Sequence, residues 1–114
     1  MEKRTIVDQV ETTRNGVIQV RIRKRIVEGD NILRDDFHRT SIPPGADPEK
    51  VLEAVNQHLL SMGEAAIPGA EWDRVSRIVA AEHTPQVVAA AEQAERQRKQ
   101  EIAGAVVAAL AAQR

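Results

Sequence analysis

Residues 17–42, VIQVRIRKRIVEGDNILRDDFHRTSI, decide the fold of this chain. In the first half of this stretch, apolar residues alternate with polar or basic ones, as Ile18, Val20 and Ile22 do with Gln19 and Arg21. An alternation with a period of two is typical of a β-strand that buries one face. The stretch therefore predicts a strand at the centre of an antiparallel sheet.

Two turns bound this strand, Asn15-Gly16 before it and Gly29-Asp30 after it. Both are hairpin signals. In the first hairpin, a two-residue loop would place Val10 opposite a charged residue. A three-residue loop over residues 14–16 places it opposite Val20 and keeps the faces consistent, so we favour the second register. The result is a three-stranded antiparallel β-meander over residues 5–42.

The second hairpin has a predicted register of its own. A two-residue turn at Gly29-Asp30 places apolar residues opposite apolar residues and charges opposite countercharges, which favours cross-strand packing. The predicted pairs are Ile22 with Phe37, Ile26 with Leu33, and Arg23 with Asp36. The predicted apolar face carries Ile18, Val20, Ile22, Ile26, Leu33 and Phe37.

Helices are predicted for the rest of the chain, because Pro43-Pro44-Gly45 ends the sheet. Asp47-Pro48 is typical of a helix start, and apolar residues at helical spacing predict helices over about 48–61 and 70–82. These helices would cover the apolar face of the meander. The fold class is α+β: a three-stranded β-meander covered by short helices and followed by a long C-terminal helix. We call residues 1–91 the head.

Thr84-Pro85 repeats the helix-start signature of Asp47-Pro48, and the third helix is predicted from Pro85 to about Ala112. Residues 92–101, EQAERQRKQE, have only one apolar member and so no face to bury; we call them the polar spacer. Residues 102–112, IAGAVVAALAA, are apolar on almost every side; we call them the apolar tip. Residues 92–114 are expected to protrude from the head, with the interface residues Ile102, Val106, Val107 and Leu110. A tip folded back onto the head is the alternative.

No set of residues in the sequence predicts a catalytic, cofactor or metal site. His38, His58 and His83 are far apart in the sequence and lack the spacing of metal-binding motifs, and the chain has no cysteine. Asp35 and Asp36 form a carboxylate pair, for which we expect salt bridges to Lys24 and Arg23 rather than acid–base chemistry. A non-enzymatic protein is therefore expected.

Arginines at positions 21, 23 and 25 form the sharpest polar feature, a ladder on one face of the central strand. Such a ribbon could enter a major groove. The net charge of −1 and the lack of interleaved aromatic residues argue against nucleic acid as a partner. Neither a signal peptide nor a membrane span is expected, because no apolar run follows the N-terminus and none reaches about 18 residues.

Two stretches carry a resemblance to a known group of proteins. They are residues 17–47, which end in FHRTSIPPGAD, and residues 82–90, EHTPQVVAA. They resemble small proteins encoded among the tail genes of tailed bacteriophages and prophages, over about a third of the chain. The resemblance implies a virion structural role in a tail, fibre or baseplate, and implies no functional residue.

We therefore expect a phage structural protein of the virion, made in the host cytoplasm, that associates with itself or with neighbouring phage structural proteins through its C-terminal helix. The alternative is a small regulatory nucleic-acid-binding module that uses the ribbon of Arg21, Arg23 and Arg25.

Overall fold

A computed structural model describes residues 1–113 and shows the predicted α+β fold. Three antiparallel strands, β1 (Glu2–Thr12), β2 (Ile18–Glu28) and β3 (Asn31–Ile42), form a sheet in the order β1-β2-β3. The meander is confirmed, although β1 begins at Glu2, earlier than predicted.

The first hairpin has the predicted register. Val10 pairs with Val20, and Glu11 pairs with Gln19. Gly16 closes the three-residue loop with a φ of 87°, a left-handed conformation that favours glycine. Further along, a β-bulge at Asp8 interrupts the ladder between β1 and β2.

The predicted register of the second hairpin is wrong for most of its length. Gly29 has a φ of 58°, and the two pairs next to the turn, Glu28 with Asn31 and Val27 with Ile32, fit the predicted two-residue turn. A β-bulge then adds Leu33 to β3, so that every later pair shifts by one residue. Ile22 faces His38, and Arg23 faces Phe37. The further pairs Lys24–Asp36, Arg25–Asp35 and Ile26–Arg34 replace the predicted ones.

This shift changes the composition of the core face. Leu33 and Phe37 were predicted to be buried, but they are 52% and 46% exposed. Ile42, opposite Ile18, is completely buried instead. In the predicted register Arg39 would have faced Val20 on the apolar side of the sheet. Burying an unpaired charge is costly, and the bulge avoids that cost by moving this arginine to the outer face.

Three helices follow: α1 (Pro48–Ser61), α2 (Gly69–Glu82) and α3 (Pro85–Ala112). The Asp47 side chain caps α1 by accepting from the backbone N–H of Glu49 at 3.0 Å. Both α1 and α2 pack on one face of the sheet, which we call the inner face. Trp72 lies buried there and donates its indole N–H to the Pro48 carbonyl at 3.0 Å. The core consists of Val7, Ile18, Val20, Ile22, Ile42, Val55, Leu59, Ile67, Trp72, Val75 and Val79.

The last helix extends away from this core. The molecule measures 69 × 35 × 21 Å along its principal axes, and no residue of α3 is buried. A helix of 28 residues is about 42 Å long, which accounts for most of the long dimension. Within residues 1–113, no helix is long and apolar enough to cross a membrane.

Candidate interaction surfaces

The base of α3 is fixed by its own cap and by two turns of the head. The Thr84 hydroxyl accepts from the Val87 N–H at 3.2 Å, as the Thr-Pro signature predicts. Just before it, His83 Nε2 lies 2.7 Å from the carbonyl oxygen of Gly16 in the β1–β2 turn. A Cβ atom at Gly16 would lie only 2.6 Å from Val87 Cγ1, so the turn and the helix are in close contact.

Every residue of the polar spacer beyond this base is exposed. Arg98 donates to Glu95 at 2.6 Å, an ion pair between residues three apart that supports a helix in water. The spacing of the sequence favours i,i+4 pairs, but among the described residues the side chains form this i,i+3 pair instead. The spacer therefore separates the apolar tip from the head without packing on it.

The apolar tip contacts no core residue. Its large side chains are all exposed, in fractions that run from 53% for Val106 to 65% for Val107, with Ile102 and Leu110 between them. Residues at intervals of four lie on one side of a helix, so Ile102, Val106 and Leu110 form a continuous apolar stripe. All four predicted interface residues thus lie on one exposed segment of α3.

The arginine ladder lies on the opposite, outer face of the sheet, and acidic residues neutralise much of it. Arg21 contacts Asp8 at 2.5 Å and Arg23 contacts Asp35 at 2.5 Å. Arg25 contacts the same Asp35 carboxylate at 3.4 Å. The hydrogen bond from Arg23 lowers the pKa of the Asp35 carboxyl below its ordinary value.

The two acidic residues of β3 therefore form salt bridges, but with partners other than those predicted. Asp35 binds Arg23 and Arg25 rather than Lys24, and Asp36 binds Arg34 rather than Arg23. The bulge in β3 explains the exchange, because it moves Asp35 to the outer face beside the ladder.

Phe37 has a role that the sequence analysis missed. Its ring lies on the outer face between two guanidinium groups, 4.8 Å from that of Arg21 and 5.4 Å from that of Arg23. Cation–π contacts of this kind hold arginine side chains in place. Only the register shift reveals this arrangement, since the unshifted pairing places Phe37 in the core.

The structure brings two of the three histidines close together and leaves the third elsewhere. His38 on β3 and His58 on α1 have ring centroids 5.4 Å apart, while His83 lies in the α2–α3 connection. Burial lowers the pKa of His38, and the nearby charges of His58 and Lys24 lower it further. Within residues 1–113, no group of three or more His, Asp or Glu side chains is arranged to hold a metal ion.

Comparisons with protein-family models, curated proteins and solved structures found no significant match for this chain. The interpretation of its surfaces therefore rests on their geometry and chemistry.

Proposed function

We propose that this chain is a non-enzymatic structural protein that assembles with copies of itself through the apolar tip. One observation carries the proposal: a helix with no buried residue ends in a stripe of exposed aliphatic side chains. Burial of each such side chain is worth about 1.5–3 kcal/mol, which makes the stripe unfavourable in water and sufficient for an interface.

The composition of the tip suits packing against identical helices. Between Glu101 and Arg114 the sequence has no charged residue, so copies can approach without like-charge repulsion. Gly104 and the many alanines let helix backbones come close together. Closed symmetric assemblies of identical subunits are the commonest oligomers.

The proposed setting is the tail, fibre or baseplate of a phage particle, where a neighbouring structural protein could also bind the tip. This setting is supported by the resemblance of residues 17–47 and 82–90 to small proteins encoded among the tail genes of phages and prophages. Both resembling stretches meet at the base of α3, where a Cβ atom at Gly45 would lie 3.5 Å from Val88 Cγ1. Part of each resembling stretch thus lies where α3 joins the head.

Substitution of the stripe tests this proposal without shortening the chain. Changing Ile102, Val106 and Leu110 together to glutamine should make the protein monomeric in size-exclusion chromatography. A control with Glu92 and Arg96 both changed to glutamine keeps the net charge and should assemble like the parent. A parent that is monomeric at every concentration, and that does not bind a neighbouring tail protein, would overturn the proposal.

Nucleic-acid binding by the arginine ladder has less support, because Asp8 and Asp35 already bind Arg21 and Arg23. We expect no sub-micromolar binding of DNA or RNA at physiological salt, and no change when Arg21, Arg23 and Arg25 all become serine. Tight binding by the parent that weakens with salt and is lost in this variant would favour the nucleic-acid function, since phosphate contacts release counterions.

A further inference from the structure

The outer face of the sheet contains a groove that the tip and its assembly do not use. Two neighbouring rows of side chains run across the three strands. Each row consists of residues that are paired between strands by the backbone register. The first row is Gln9, Arg21 and Arg39, and the second is Glu11, Gln19 and Ser41. These rows line an open groove of about 480 Å³, which we call the outer groove.

The first row contains one arginine with a countercharge and one, Arg39, without a countercharge among the described residues. Arg21 and Arg39 are direct cross-strand partners, an arrangement of like charges that is destabilising by itself. Asp8 binds Arg21, whereas Arg39 has no salt bridge to any of residues 1–113. An anionic group between the two guanidiniums would relieve the repulsion and supply the missing countercharge.

The side chain of Arg21 is also fixed in one orientation by two contacts. Asp8 accepts from its Nε at 2.7 Å, and the ring of Phe37 stacks on its guanidinium at 4.8 Å. A guanidinium fixed in this way loses little conformational entropy on binding. Asp8 accepts from its Nε and Nη2 edge, and the remaining N–H groups can donate to the carboxylate of a ligand.

The rest of the groove limits the ligand to a single negative charge. Gln9, Gln19 and Ser41 offer neutral hydrogen-bonding groups, while Glu11 lines the groove as well and would repel a second anion. A polyanion such as nucleic acid is therefore disfavoured. A ligand with one carboxylate and neutral hydroxyl or amide groups fits this arrangement.

We propose that the outer groove binds a single carboxylate between Arg21 and Arg39, carried by a sugar acid or by an acidic side chain of a peptide. The ligand's neutral groups lie over Gln9, Gln19 and Ser41. This recognition surface is separate from the apolar tip, so one chain can assemble through α3 and bind a ligand through its sheet.

Amide chemical shifts of the full chain test the proposal, with ionic strength held constant by NaCl. The probes are glucuronate, for a sugar acid, and N-acetylglutamate amide, for a peptide. At least one should shift the amides of β2 and β3 around Arg21 and Arg39 at about 10 mM. Shifts from only one probe would identify the source of the carboxylate. The uncharged counterparts, glucose and N-acetylglutamine amide, should cause no such shifts.

A matched pair of variants completes the test. Arg39→Gln should weaken binding by about tenfold or more, because a charge-assisted contact is lost. Arg14→Gln removes the same charge from the exposed β1–β2 loop and should leave binding unchanged. Equal weakening in both variants would reveal unspecific charge attraction. Such equal weakening would overturn the proposal. So would the absence of localised shifts with either probe, or tighter binding of single-stranded DNA than of both probes.

Discussion

At the scale of single residues, the side chains of β3 explain why its register departs from the simplest pairing. Leu33 and Phe37 favour the unshifted register, while Arg39 and Ile42 favour the bulged one. The bulged register buries Ile42 in the core and leaves Arg39 exposed. Two exposed apolar side chains cost less than one buried unpaired guanidinium.

A pair of alanine substitutions tests this register. Ile22→Ala should lower the free energy of unfolding by about 2–5 kcal/mol, because Ile22 is completely buried. Phe37→Ala should cost only about 1 kcal/mol, the value of an exposed ring stacked on arginines. Urea unfolding measures both values. Similarly large losses for the two variants would mean that Phe37 lies in the core after all.

The contact between Gly16 and Val87 provides a second prediction at this scale. Gly16→Ala should destabilise the protein more than Gly29→Ala by at least about 1 kcal/mol. Both glycines have a positive φ, so both variants suffer left-handed strain, but only a Cβ at Gly16 meets another side chain, at 2.6 Å. Thermal unfolding compares them. An equal loss for both would show that α3 does not pack against this turn.

At the scale of elements, the sequence predicted the strands and helices well because local signals define them. Asp47-Pro48 and Thr84-Pro85 mark the starts of α1 and α3, and the structure has both. The bulge could not be predicted in the same way. It depends on which face of β3 the helices cover, a choice made by tertiary packing rather than by the turn. The charged face with Phe37 follows from it and was missed for that reason.

The packing of α1 on β3 predicts a dependence of stability on pH. The pKa of His38 in the folded protein is lowered, first by burial and then by His58 and Lys24. Folding therefore disfavours the protonated imidazole. Stability is complete above the ordinary histidine pKa of about 6.5, and part of it is lost as the pH falls through the lowered folded value.

Urea unfolding at about pH 7.5 and pH 5 should detect this loss in the parent and a smaller loss in His38→Gln. The imidazole resonances of His38 should titrate below the ordinary range, and they should move toward that range in His58→Gln. Asp36, Arg34 and Glu64 also face this region and are the same residues in both variants. A normal pKa for His38 would remove the basis of the prediction.

At the scale of the whole molecule, the head and α3 differ in whether their apolar side chains are buried. The head has a closed core between the sheet and two helices, whereas α3 ends in aliphatic side chains that none of residues 1–113 covers. The sequence already indicated this division, because the polar spacer has no face to bury. It could not indicate the partner, since an exposed apolar stripe accepts more than one.

The mass of the protein in solution tests the central claim most directly. Light scattering should give the full chain a mass that is a multiple of the 12.6 kDa monomer. A chain that lacks residues 102–114 should be monomeric, with a circular dichroism spectrum that differs only by the lost helix. A monomeric full chain, or a truncated head that no longer folds, would contradict assembly through the apolar tip.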